Sequence, residues 1–260
     1  MLNEWEIELA CIDDGGRLGL LTEEFHGWLF TQMQLQSNEL ADKWHQSSIK
    51  PFRIHLREVI PYGHTVHHGD RIRVSLTGLT EEAGEWLPGL LEASKEVRLG
   101  RVMFVSTETK VVRSSSFESL VKGAFGAARH RPWQFRFVTP TVIRSDGKNI
   151  LFPDPEKVFS SLSRRFYELS SVELPTLHAD WNRWIDIHRY QLQTSSIKFS
   201  THHLLGFTGY VQYRFHQRMP NYEQALFHLL SDFASYCGIG YKTAMGMGAA
   251  TTNEVTRSAE

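Results

Sequence analysis

Glu4-Trp5-Glu6-Ile7-Glu8-Leu9-Ala10-Cys11-Ile12 opens the chain with alternating polar and apolar residues. A period of two puts every second side chain on one face of an extended strand, so this stretch predicts a half-buried β-strand. The period then changes. After Thr22-Glu23-Glu24, the residues Phe25, Leu29 and Met33 recur every fourth position, which predicts a helix over 23–35, with a second short helix over 38–46. Two strand-like runs, 51–60 and 71–79, flank a turn rich in glycine and histidine at 61–70. Thr80-Glu81-Glu82 is a cap signature for a helix reaching residue 93, and 97–112 is again β-rich.

The resulting order, β-α-β-β-α-β, is the ferredoxin-like or RRM-like unit. The second half repeats it less clearly. Residues 133–143 alternate as a strand, and Asp154-Pro155-Glu156 begins a helix through 169. Residues 185–215 are β-rich with a hairpin turn expected at Gly206–Gly209, and Asn221 starts an amphipathic helix to 236. The expected class is therefore α+β, with two tandem ferredoxin-like domains. Ser114-Ser115-Ser116 and the glycines from 123 interrupt the periodicity, so the division is expected at 1–128 and 129–260.

With 41% hydrophobic and 12% aromatic residues, the chain has the material for a packed core. No apolar run approaches the roughly 20 residues of a membrane helix, and the acidic, alternating N-terminus does not read as a signal peptide. A cytoplasmic protein without a membrane partner is expected. Cys11 and Cys237 are too few for a four-cysteine zinc site and form no C-x-x-C pair. His64, His67 and His68 share the 61–70 turn, but only Asp70 accompanies them, and His202-His203 reads as a strand or turn pair. No metal or cofactor is expected. The net charge of −1 argues against a nucleic-acid partner, but its distribution points the other way. Residues 1–50 hold 3 Lys/Arg against 9 Asp/Glu, and residues 101–150 hold 9 against 3. A local basic stretch attracts phosphates whatever the total charge.

Gly238-Ile239-Gly240-Tyr241-Lys242-Thr243-Ala244-Met245-Gly246-Met247-Gly248 is the most specific motif. Four glycines in eleven residues do not suit a helix or strand interior; they allow close backbone approach, either in a tight turn or to a phosphate. Walker A needs glycine directly before Lys-Thr, where Tyr241 stands, and G-x-G-x-x-G fails at Thr243. ATP and dinucleotide binding are thereby disfavoured.

The segment resembles the C-terminal glycine-rich loop of the CRISPR repeat-processing endoribonucleases, the Cas six family of the RAMP superfamily, which reads G-h-G-x-x-[ST]-x-x-G-x-G with h hydrophobic. Three other stretches are similar to that family in the same order: Phe135-Arg136-Phe137-Val138-Thr139-Pro140-Thr141; Phe152-Pro153-Asp154-Pro155 followed by Val158-Phe159; and Gly206-Phe207-Thr208-Gly209. The resemblance also singles out two histidines. Phe25-His26-Gly27-Trp28-Leu29 supplies the one the family carries on its first helix. Leu40-Ala41-Asp42-Lys43-Trp44-His45, followed by Lys50-Pro51-Phe52, supplies the other. Some members use a tyrosine on the first helix; Phe30 stands at that position, so His26 is the natural substitute.

What the resemblance implies is metal-independent cleavage of CRISPR repeat RNA (pre-crRNA) by 2′-hydroxyl attack. The catalytic residues would be His45, His26 and Lys50. RNA contacts would come from Gly238, Gly240, Lys242, Thr243, Gly246 and Gly248, with Arg129 and Arg131 in the basic stretch. A CRISPR effector complex and a homodimer are further partners that the resemblance leaves open. The alternative is a non-catalytic RAMP subunit that binds guide RNA in such a complex.

Overall fold

The computed structural model describes residues 1–56, 58, 60–126, 132–177 and 179–255. The chain divides into two compact units. The first comprises Met1–Ser114, Lys198–Leu204 and Ala244–Gly246. The second comprises Ser115–Ile197, Leu205–Thr243 and the described residues from Met247 on. The division expected between 128 and 129 falls on residues outside the described set.

Up to Ser115 the elements are β1 (Leu2–Cys11), β2 (Gly16–Arg17), α1 (Leu21–Gln36), α2 (Asn38–Gln46), β3 (Phe52–Leu56), β4 (Thr65–Val66), β5 (Arg71–Gly78), α3 (Glu81–Ala93), β6 (Glu96–Leu99) and β7 (Val102–Ser115). Their main sheet runs β3-β5-β1-β7-β6, the ferredoxin order with β6 as an added edge. β1 and β5 pair antiparallel with Ile7 opposite Val74 and Leu9 opposite Ile72. Trp5, Ile7 and Leu9 are buried with Phe25, Leu29 and Met33 of α1, so the two sequence periods meet in one core. The alternate residues of β1 carry charge, and they hold cations of the neighbouring strands: Glu4 pairs Arg113, Glu6 pairs Lys110, and Glu8 pairs Arg71 and Arg73. The 61–70 turn contains β4, which pairs with β2.

The rest of the chain forms α4 (Phe117–Phe125), β8 (Trp133–Thr141), β9 (Ile143–Ser145), β10 (Lys148–Ile150), α5 (Pro155–Leu169), α6 (Trp181–Trp184), β11 (Ile185–Lys198), β12 (His203–Phe215), α7 (Asn221–Cys237) and β13 (Ala250–Glu254). The sheet order is β11-β12-β8-β13, again ferredoxin-like. Trp133, Phe135 and Phe137 of β8 point into the core.

The strand period of β7 ends at Ser115, and the Ser116 hydroxyl accepts from the Ser119 N–H and starts α4. One local expectation is corrected. The hairpin turn lies at residues 199–202, and Gly206–Gly209 sit inside β12. Gly209 adopts φ +120 at a register shift against β8, where a Cβ would meet the Gln191 carbonyl. Paired glycines here mark a β-bulge.

Candidate active site

Ser37 ends α1 and starts α2: its N–H closes onto the Met33 carbonyl, and its hydroxyl accepts from the Leu40 N–H. At 1.5 Å per residue, the chain runs about 15 Å from His26 to the end of α1 and returns about 10 Å along α2 to His45. The return is long enough for both histidines to reach one ring, that of Phe30. His26 packs on Phe30 with ring centroids 4.8 Å apart, and His45 meets the same ring edge-on at 5.6 Å. Phe30 is buried, His26 is half-buried and His45 is exposed.

His45 is held by its neighbours. Trp44 is buried against Phe52 and Trp86, and its indole N–H donates to Glu82 Oε2 at 3.0 Å. Helix α2 is thereby pinned with residue 45 facing outward. Phe52 also lies 6.0 Å from His26 and 5.9 Å from Phe30. Trp44, Glu82 and the Phe30–Phe52 pair escaped the sequence reading as supports of the site. The Trp44-His45 step was the available signal, because a large apolar residue beside an exposed one fixes the rotation of a short helix.

Lys50 joins the same corner, but through its ammonium. Nζ donates to the carbonyls of His45 and Ser47, both at 2.7 Å, at the C-terminal end of α2. Burial pulls its pKa below the ordinary range. A cation placed there satisfies orphan carbonyls and the helix dipole. It also ties the backbone of His45 to the loop that leads into β3.

The glycine-rich loop behaves differently. Gly238, Gly240, Gly246 and Gly248 all have positive φ, as does Lys242 at +57. Among these glycines, only Gly240 is not buried. A Cβ on Gly240 would come 2.3 Å from the Val142 carbonyl, and one on Gly248 would come 2.0 Å from the Ile239 carbonyl. The close approaches that Gly240 and Gly248 permit are thus to the chain's own backbone. The loop closes through Ile239 N–H to Gly248 O at 2.8 Å. Buried Arg165 braces it, donating to Thr243 Oγ1 at 2.8 Å and to the Gly240 carbonyl at 3.3 Å. Arg165 was not singled out from the sequence; an arginine inside an amphipathic helix carries no local mark of burial. What the loop offers outward is Tyr241 and Lys242, with the Arg144 guanidinium 4.7 Å over the Tyr241 ring.

The basic stretch at 101–148 is partly neutralised, since Lys110 and Arg113 bind β1 glutamates. Arg129 and Arg131 lie outside the described residues. Among the described residues, no three His, Cys, Asp or Glu side chains converge as a metal ion would require, and no helix is long and apolar enough to cross a membrane.

The sequence profile of CRISPR-associated endoribonuclease Cas6 matches residues 135–250. A Streptococcus thermophilus CRISPR-associated endoribonuclease Cas6 is 22% identical over 238 residues, covering 88% of this chain and 89% of the relative. A Mycobacterium tuberculosis Cas6 is 28% identical over 123 residues, covering 46% of this chain and 38% of its own. Among solved structures, a Cas6 product complex superposes with a TM-score of 0.79 at 22% identity, covering 97% of this chain and all of the other. The Thermus thermophilus Cas6 structure gives 0.72 at 22%, covering 97% and 98%. The profile over residues 135–250, the relative matched along most of the chain and the shared fold all make this chain similar to the CRISPR-associated endoribonucleases of the Cas6 family.

Proposed function

We propose that the protein cleaves CRISPR repeat transcripts in the cytoplasm by metal-independent chemistry, with His45 and His26 as the proton-transfer pair. The observation that carries this reading is the packing of both imidazoles against one phenyl ring, Phe30. Imidazole titrates near neutrality, so one ring can accept a proton from the ribose 2′-hydroxyl while the other donates one to the leaving 5′-oxygen. The 2′-oxygen attacks the adjacent phosphorus and the P–O5′ bond breaks, leaving a 2′,3′-cyclic phosphate and a 5′-hydroxyl. Lys50 holds the His45 backbone and supplies positive charge beside the site. RNA phosphates are taken up by Lys242 and Arg144, with Tyr241 offering an aromatic face to an unpaired base. Gly238, Gly240, Gly246, Gly248 and Thr243 shape that surface.

The test is incubation of the purified protein with its repeat RNA in EDTA. Cleavage at one position, with a cyclic phosphate on the upstream product and no cleavage of RNA carrying 2′-deoxyribose at that position, is the expected result. Tight binding without cleavage would make the protein a guide-RNA-binding RAMP subunit instead. Cleavage of the deoxy substrate at the normal rate would overturn the 2′-hydroxyl mechanism.

A further inference from the structure

Helix α1 begins without a side-chain cap, because Leu20 stands at its N-cap position. The first amides of a helix lack intrahelical acceptors, and such ends fray unless something else fixes them. The Leu20 carbonyl accepts from the Glu23 and Glu24 amides and the Glu24 carboxylate accepts the Gly19 N–H, and further fixing comes from residues far along the sequence. The Glu23 carboxylate accepts two hydrogen bonds from Ser200, one from its amide N–H and one from its hydroxyl, each at 2.8 Å. Thr22 Oγ1 donates to the Met245 carbonyl at 2.9 Å. Gly246 has φ +91, and a Cβ there would come 2.3 Å from Thr22 Oγ1, so Thr22 seats against a residue that must be glycine.

The turn that carries Ser200 is itself braced. The Phe199 N–H donates to the His202 carbonyl at 2.8 Å, the Phe199 and His202 rings stack at 5.0 Å, and Lys198 Nζ lies 4.3 Å over the Tyr62 ring. The glutamate is therefore held by a rigid partner, and a bidentate, charge-assisted contact of this kind fixes orientation as well as distance.

Residues three and four apart share a helix face. Thr22 and Glu23 therefore stand directly above His26, and Phe30 continues the same face one turn on. We propose that Glu23 and Ser200 form a positioning pair for His26, with Thr22 seated on Gly246 as the second point of the same anchor. The proposal rests on the reading of His26 as a proton-transfer group. Neither Glu23 nor Ser200 takes part in the reaction. Together they set the rotation and advance of the first turns of α1, and with them the placement of the imidazole. Displacing a reacting group by about 1 Å can cost on the order of 10²-fold in rate. The turn at residues 199–202 and the 244–246 segment are on this account parts of the active-site scaffold, even though neither carries a catalytic group.

The experiment compares wild type, Glu23→Ala, Ser200→Ala, the double variant and Glu23→Gln. Single-turnover cleavage of repeat RNA and RNA affinity are measured separately. Loss of the pair should lower the cleavage rate by about tenfold or more while the Kd stays within about twofold. The double variant should be no worse than the poorer single, because the two residues act through one contact. Glu23→Gln keeps one acceptor oxygen and should recover part of the rate. Ser200→Ala changes only an exposed turn and retains the amide contact, so it reports on the anchor even if Glu23→Ala folds poorly. Wild-type rates in both single variants, multiplicative losses in the double, or a loss confined to Kd would each overturn the pair. A second readout does not depend on cleavage: amide hydrogen exchange across residues 21–30 should quicken in both single variants while α3 is unchanged. If wild type cuts no repeat RNA, the nuclease reading fails by itself. The exchange data then still decide the anchor, with faster exchange supporting it and unchanged exchange refuting it.

Discussion

The two histidines of the helical hairpin stand around a buried phenyl ring, His45 exposed and His26 half-buried, whereas Gly240 and Gly248 of the 238–248 loop are folded against the chain's own backbone. One region presents titratable groups; the other presents shape. His45 could change without disturbing the fold, because α2 is held by Trp44 and Glu82 and not by the imidazole. Gly248 cannot, because a Cβ there has nowhere to go. A region built for chemistry should therefore lose rate and keep stability, and a region built for shape should lose stability first.

The largest expected effect tests the first half of that contrast. His45→Ala should lower the cleavage rate by roughly 10²–10⁴-fold, the usual range for one proton transfer. Its thermal midpoint should stay close to wild type, since the residue is exposed. Single-turnover kinetics alongside thermal denaturation separates the two. A rate within a few-fold of wild type would remove His45 from the mechanism.

Gly248→Ala tests the other half. A left-handed backbone at φ +67 costs a non-glycine residue about 1–3 kcal/mol, before any displacement of the Ile239 carbonyl. Loss of roughly 5 °C or more in thermal midpoint is expected. Gly27→Ala is the control: this glycine lies on an exposed helical position with nothing within 4 Å of the added carbon, and alanine should stabilise there by about 0.5–1 kcal/mol. Equal responses at the two positions would mean that the loop is not held by its own backbone.

The fold was largely legible because two periods, two for β1 and about four for α1, describe faces that must be buried, and burial is what orders the elements. Asn38–Gln46 and the Thr80 cap came through for the same reason: capping is local chemistry. The bulge at Gly209 did not, since a glycine announces freedom of φ without saying whether a turn or a strand uses it. The same limit applies to the candidate site. His26, His45 and Lys50 could be picked out by resemblance, but the bond from Lys50 to the His45 carbonyl, the support from Trp44, and the buried Arg165 behind Thr243 depend on contacts across the sequence that no local pattern encodes.

Lys50 lies where the two kinds of region overlap, and Lys50→Met sharpens the contrast. If its main work is to bind the last carbonyls of α2, stability should fall by about 0.5–2 kcal/mol. Because the same bond holds the backbone of His45, the rate should fall as well. Restoring charge with Lys50→Arg should return stability and rate together. Recovery of the rate without recovery of stability would assign Lys50 to direct charge stabilisation.

The smallest expected effect lies in Glu24, a carboxylate on the histidine-bearing helix that is packed as the glycine loop is packed. Its Oε1 accepts the Gly19 N–H at 2.9 Å, and a Cβ added to Gly19 or Gly100 would come within 2.8 Å of that oxygen. Burial raises its pKa above the ordinary 4.5, with the Gly19 N–H acting in the opposite sense. The folded state therefore holds the proton more tightly than the unfolded state. The destabilisation is complete above the raised value, and it is relieved as pH falls through that value toward 4.5. Glu24→Gln removes the titration while keeping the acceptor for Gly19. Urea midpoints at a series of pH values from 7 downward should show the advantage of the variant shrinking as pH falls, because wild type regains stability by taking up its proton. A difference that stays constant across the series would mean that the carboxylate is solvated in the folded protein, and that the wall of glycine backbone around it is open to water.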